Sequence, residues 1–332
     1  MEPFRTVLPA RAAPFTIGHN DHLMMIGSCF SVNIGERLLQ RKFRTAINPF
    51  GIVYNPLSIA GCLDRLMAEK QAFTEDELFE NAGLWHSWEH HGHFSKPSRA
   101  ETLEGINSAY AQAVKELKST NTVILTFGTS IVHYLKENGQ VVANNHKMPA
   151  AVFGQRRLDI QEICEALSPV LTKLTRQNPG LRIIFTVSPV RHIRNGLEEN
   201  QRSKAVLLLA VEALCRQFDH AFYFPAYELQ LDDLRDYRFY ASDMLHPSEQ
   251  AVDYIWQYFS DAFFSGETQQ LNAAIEKITT AAAHRPFHPD SVEHKAFKAA
   301  QLKAIEKVKR EWPGLDFSGE ERVFGARVGD PR

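Results

Sequence analysis

Between residues 22 and 263 short apolar runs alternate with longer segments of helical period, and that alternation leaves few folds open. His22–Ile26, Thr122–Phe127, Leu181–Val187 and Ala221–Phe224 are apolar or β-branched, and each is followed by Gly, Pro or another turn residue. Such runs suit buried strands. Phe43–Ile47 is a further strand candidate. Between them, Leu103, Ile106, Tyr110, Val114 and Leu117 share one helical face, as do Ile160, Ile163, Cys164, Leu167, Leu171 and Leu174. Val206, Leu209 and Ala213 make a third stripe, and Ala251, Ile255, Tyr258 and Ala262 a fourth. Ser31–Lys42 and Pro56–Lys70 read as helices too, the second opening on a first-turn proline. Strand-helix alternation implies parallel pairing by right-handed crossovers with helices on both faces. The expected fold is α/β: a three-layer α/β/α, doubly wound parallel sheet. Ligands of such sheets gather beyond the carboxyl ends of the strands, so the polar residues there are the ones to weigh.

Past Ser265 the alternation stops. Glu267–Ala283 has helical character, His284–Asp290 (HRPFHPD) reads as a linker, and Ser291–Trp312 is a second helix. Its Lys295, Lys298, Lys303, Lys307, Lys309 and Arg310 fit a solvated face. Residues 1–265 are therefore expected to form one domain, with 266–332 a helical extension packed on it. With 37 Lys and Arg against 39 Asp and Glu, the net charge is −2, which argues against a nucleic-acid partner. No stretch approaches the ~18 apolar residues of a membrane helix, and the first twenty residues lack the apolar run of a secretory leader. Cys29, Cys62, Cys164 and Cys215 form no CxxC pair and read as reduced thiols. A soluble, cytoplasmic protein is expected, with no cofactor; nothing in the sequence sets an oligomeric state.

The first strand runs into Gly27-Ser28-Cys29-Phe30-Ser31 and then a helix. A Gly before a Ser at such a turn permits a sharp bend, and the helix N-terminus offers free N–H groups to a developing oxyanion. Serine also caps helices here as elsewhere. Far downstream stands Asp243-Met244-Leu245-His246. An Asp three residues before a His can hold one imidazole nitrogen and leave the other to take a proton from a serine. Together the two segments resemble SGNH hydrolases, flavodoxin-like in fold, in which a serine follows the first strand and an Asp-x-x-His lies near the end of the domain. More narrowly, GSCFS resembles the signature of the GSCFA family, with Ser31 where the family name has Ala. The resemblance extends through NPFGIVYNP (48–56), TFGTSIVHY (126–134), VVANNHKMP (141–149), TVSPVRH (186–192) and DYRFYASDMLHPS (236–248).

The resemblance implies a serine-dependent hydrolase of ester bonds, an esterase or deacylase acting on a small-molecule or O-acylated carbohydrate ester, with acyl transfer to another hydroxyl also open. Ser28 is the implied nucleophile, His246 its base and Asp243 the residue that orients the base. The backbone N–H groups of Ser28 and Gly51 are the implied oxyanion donors. The third SGNH donor is an Asn side chain, but this chain reads Gly128-Thr129-Ser130 at that place. Thr129, Ser130 or Asn55 is left to replace it, and losing one such donor costs about 10²–10³ in rate. Cys29 is the rival nucleophile. His86, His90, His91 and His93 crowd one segment, LWHSWEHHGHFS, read as an irregular loop roofing the site. His86, His90 and His146 are expected to line the substrate pocket rather than bind metal. Arg191, His192, Arg194, Asn200, Ser203 and Lys204 would form a basic, polar rim for an anionic group. The rival functions are an SGNH-fold binding module without catalysis and a metal-dependent hydrolase built on the histidine loop.

Overall fold

Runs such as Thr122–Phe127 become strands because they are too short for a helix and apolar at every position, so they can only be satisfied inside a sheet covered on both faces. The computed structural model describes residues 5–68, 72–284, 286–288 and 291–325. In chain order the elements are β1 (His22–Gly27), α1 (Cys29–Gln40), β2 (Arg44–Ile47), α2 (Pro56–Met67), β3 (Leu78–Asn81), β4 (Leu84–Ser87), α3 (Arg99–Ser119), β5 (Thr122–Phe127), β6 (Ile131–Leu135), β7 (Val141–Val142), β8 (Phe153–Arg157), α4 (Ile160–Gln177), β9 (Arg182–Val187), α5 (Leu197–Gln217), β10 (Ala221–Phe224), α6 (Ala226–Glu228), α7 (Glu249–Phe263), α8 (Gly266–Ala283), α9 (Val292–Glu311) and α10 (Ser318–Gly325).

The central sheet has the order β10-β9-β5-β1-β2, and every pair in it is parallel. Its register aligns Gly27 with Thr126, and Thr126 with Thr186. Alternate strand residues feed two cores. Met24, Ile26, Val123, Leu125, Ile183 and Phe185 face α2, α3, α4 and α5. Leu23, Met25, Ile124 and Ile184 face α1 and α7. This is the expected three-layer α/β fold. The chain leaves β1 toward β2 on one side and returns to β5 on the other, so the carboxyl ends of β1 and β5 form the topological switch point, the natural crevice of such a sheet.

Two small sheets escaped the sequence reading, β3-β4 and β7-β6-β8. They lie in the connections of the main sheet, and one of them makes Leu84–Ser87 a strand rather than loop. The stripe expected on α5 is also displaced. Leu209 is 51% exposed, while the buried face runs through Asn200, Ser203, Lys204, Leu207, Val211 and Leu214. The helix turns its polar first half inward, toward the carboxyl edge of the sheet. Helix α2 ends at Met67, and Lys70 lies outside the described residues.

Helices α8, α9 and α10 enclose a core of their own, with Ile275, Ile305 and Phe317 fully buried. They dock beside the loop between α1 and β2: Arg41 pairs with Glu276 at 2.6 Å, Lys42 with Glu320 at 2.7 Å, and Lys42 Nζ lies 5.2 Å above the Phe317 ring. Lys295, Lys303, Lys307 and Arg310 are exposed. Among the described residues no helix is long and apolar enough to cross a membrane.

Candidate active site

Gly27 lets β1 end flush against β5. A Cβ there would sit 2.4 Å from the carbonyl oxygen of Thr126, so any side chain would force the two strands apart. Ser28 follows as the N-cap of α1, its Oγ accepting from the Phe30 N–H at 3.3 Å. It is 2% exposed. Its own N–H donates to Thr126 O at 3.2 Å, so the expected oxyanion donor is already engaged by the sheet. Cys29 is partly exposed, and burial raises its thiol pKa, which keeps it protonated and weakly nucleophilic.

The second segment is a closed loop. Ala241 N–H donates to His246 O, Met244 N–H to Ala241 O, and Tyr240 bridges Pro247. Met244 takes a left-handed backbone, φ 58°, to make the turn. Asp243 Oδ1 accepts the N–H groups of Leu245 (2.9 Å) and His246 (3.0 Å), and Oδ2 lies 2.6 Å from His246 Nδ1. Those two amides and the imidazole hold the Asp243 carboxyl down at about 2. A carboxylate so placed accepts a hydrogen bond from Nδ1–H and leaves Nε2 as the acceptor. Both side chains are about half exposed, 47% for His246 and 45% for Asp243. Among the described residues no hydrogen bond joins His246 to Ser28 Oγ. The segments are nonetheless within electrostatic reach, since the Asp243 charge raises the Cys29 thiol.

Arg191 does not offer its charge to a ligand as expected. Its guanidinium lies 4.0 Å over the Tyr240 ring and 5.1 Å from that of Tyr237, and it donates to Met244 O at 3.4 Å. With Arg191 N–H on Leu245 O, the residue braces the Asp243 loop. Lys204, expected on a rim, is 1% exposed and donates to Gly128 O and Ser188 O, both at 2.6 Å. It ties the carboxyl ends of β5 and β9 together. Burial pushes its pKa down to about 7.

The other expected oxyanion donors are likewise taken. Gly51, with φ 75°, donates its N–H to Asn48 O at 2.7 Å. Asn55 caps α2, accepting from Ser58 N–H and donating to Ser58 Oγ. Thr129 and Ser130 meet at Ser203, whose Oγ lies 2.8 Å from Thr129 Oγ1 and 3.1 Å from Ser130 Oγ. Among the described residues, the buried side-chain atoms at this edge without a partner include Asn48 Nδ2, His192 Nε2 and Thr186 Oγ1. Asn48 opens the NPFGIVYNP segment and has no part in the constellation expected from the sequence. His192 lies against Gly128, where an added Cβ would come within 2.9 Å of Nε2. Burial, then the charges of Lys204 and His246, push its pKa down to about 3, so the ring is neutral.

The model of the GSCFA family matches residues 22–259, from β1 through most of α7, and that of the GSCFA domain protein, C-terminal domain, matches residues 275–328. The chain belongs to the GSCFA family. Comparison with curated proteins finds no match.

In this GSCFA chain the histidine-rich segment does pack over the site's edge. A Cβ on Gly51 would lie 2.4 Å from that of His91, and His91 N–H donates to Phe50 O. The three histidines expected to line a pocket are instead interior groups. His86 Nδ1 bonds Ser95 Oγ at 2.6 Å, His90 Nδ1 bonds Ser87 Oγ at 3.0 Å, and His146 Nε2 bonds Ser87 O at 2.8 Å. Burial lowers His90 to about 3 and His146 to about 4, leaving both neutral. Among the described residues no three His, Cys, Asp or Glu side chains are placed to hold a metal ion. A polar cleft of about 170 Å³ lies at this edge between Tyr54, Thr129, His133, Asn144, His192 and Arg194. A larger groove of about 640 Å³ lies at the opposite edge of the sheet, among Leu66, Leu117, Leu174 and Leu181. It holds none of this chemistry.

Proposed function

We propose that this protein is a serine-dependent ester hydrolase of the SGNH type, with residues 1–265 as its catalytic domain. The Asp243–His246 pair carries the reading. A carboxylate fixed by two backbone amides, 2.6 Å from an imidazole, has no packing role on a half-exposed loop. A serine at the end of the first strand, at the switch point of the same sheet, completes the set.

In the reaction Ser28 Oγ attacks the ester carbonyl carbon as His246 Nε2 accepts its proton, and Asp243 stabilises the imidazolium that forms. His246 returns the proton to the departing alcohol. Water, activated by the same imidazole, then attacks the acyl-serine and releases the acid. Catalytic hydrogen bonds of this kind often close only when substrate is bound, which accommodates the unbonded Ser28 and His246. The amide, imidazole and guanidinium lining of the polar cleft suits an O-acylated carbohydrate or an anionic alcohol.

One observation favours a second reading, a binding module without turnover. Ser28 is 2% exposed and the N–H groups of Ser28 and Gly51 are occupied. A fluorophosphonate separates the two. The hydrolase gains the mass of one phosphonyl adduct, on Ser28, and Ser28→Ala gains none; absence of any adduct on the native chain leaves the binding module.

A further inference from the structure

If Ser28 is a nucleophile, the negative charge that develops on the substrate oxygen needs a donor, and the side chains expected to supply it are all engaged elsewhere. Asn48 is not. It is the first residue beyond β2, the strand next to β1, and its N–H donates to Met25 O at 2.8 Å. Its side-chain Oδ1 accepts the N–H of Gly27 at 2.8 Å, the peptide group immediately before Ser28. That bond fixes which way the amide faces, because an N–H needs an oxygen opposite it. What remains is an NH₂ group with two hydrogens, 8% exposed at the residue level, with no partner among the described residues.

The placement is built rather than incidental. Asn48 has φ 47°, a left-handed backbone that asparagine tolerates better than most residues. Gly51 N–H on Asn48 O closes the turn behind it, and His91 N–H on Phe50 O roofs that turn. A buried donor left unmatched is destabilising, so its persistence beside a candidate nucleophile calls for an acceptor that arrives later. Of the rival orphans, His192 Nε2 lies against the bare Cα of Gly128 and donates in one tautomer alone, and Thr186 Oγ1 stands on β9, separated from the Ser28 strand by β5.

We propose that Asn48 Nδ2 is the side-chain oxyanion donor of the Ser28 site, supplied from β2 on the far side of the nucleophile strand instead of from the loop after β5. The proposal rests on the serine-hydrolase reading. It makes the Gly27 peptide a clamp: the same amide that steadies the turn before Ser28 presents its NH₂ to the reacting oxygen.

The test follows phosphonylation of the full-length chain by a fluorophosphonate, in which the Ser28 Oγ–P bond forms, the P–F bond breaks, fluoride leaves and His246 takes the proton. The developing charge sits on the phosphonyl oxygen, so the rate reports the donor. Asn48→Asp keeps an oxygen for Gly27 N–H and suits the left-handed backbone, but offers no amide hydrogen. Asn48→Gly suits the backbone, adds no charge, and remains informative if the Asp variant misfolds. Both are expected to slow the maximal labelling rate about 10²–10³-fold, with the probe concentration giving half-maximal rate nearly unchanged and thermal melts retained. Labelling of either folded variant within about threefold of the native rate overturns the assignment to Asn48 and leaves the hydrolase standing. A native chain that takes no adduct on Ser28 sinks the hydrolase reading and this proposal with it.

Discussion

Asp243 stays ionised at every pH at which the protein would be assayed. Its pKa is depressed from 3.8 to about 2, so its carboxylate and the bonds it makes are lost only as pH falls through about 2. A decline in phosphonylation rate between pH 7 and 4 therefore reflects proton uptake elsewhere than Asp243. Asp243→Asn keeps the shape but favours the wrong imidazole tautomer, and should lower the labelling rate about 10³–10⁴-fold with Ser28 still in place. A rate within tenfold of native would argue that the pair is ornamental. At this scale the sequence was partly legible. Ser28, Asp243 and His246 stand out as candidates in the sequence because each sits in a short local pattern that survives without knowledge of its neighbours. Asn48 and Lys204 do not, since what makes them notable is a partner far along the chain: Gly27 for one, Gly128 for the other. The histidines misled for the same reason. His86 and His90 look like a site in the linear chain, and only the fold shows Ser95 and Ser87 taking their nitrogens.

At the level of elements, β1, β5 and β9 stand out as apolar runs because burial on both faces erases alternation and leaves length and β-branching as the signal, whereas the edge strand β2 has Arg44 exposed and its other residues half-buried. The small sheets were invisible, as β7 has two residues and β8 ends in Gln155, Arg156 and Arg157, all exposed. Helix α5 was found but its inward face was not, because Asn200, Ser203 and Lys204 are buried for the sake of polar partners instead of apolar ones. Helix α4 shows the contrasting case, a regular stripe in which Ile163, Leu167 and Leu171 are fully buried. Leu171→Ala should cost about 2–5 kcal/mol of stability, read as a lower urea midpoint, while folded protein labels at the native rate. A matching loss of labelling rate would mean that α4 positions the site.

Across the whole molecule the two family matches divide the chain as its packing does, with α8 to α10 around their own core and the sheet domain around separate ones. Acidic and basic residues nearly balance, at a net charge of −2, and the polar groups of the candidate site gather at the carboxyl edge of one sheet.

The C-terminal helices grip the chain at Arg41 and Lys42, where it enters β2, whereas Ser28 stands where β1 ends. The molecule thus has a handle at one end and the candidate site at the other. Anchoring it to a solid support through a linker at Lys303 or Lys307 should leave the phosphonylation rate of Ser28 as it is in free solution, so a bead-bound form would serve for screening acylated sugars; a rate cut tenfold by such anchoring would show that the handle reaches the candidate site after all.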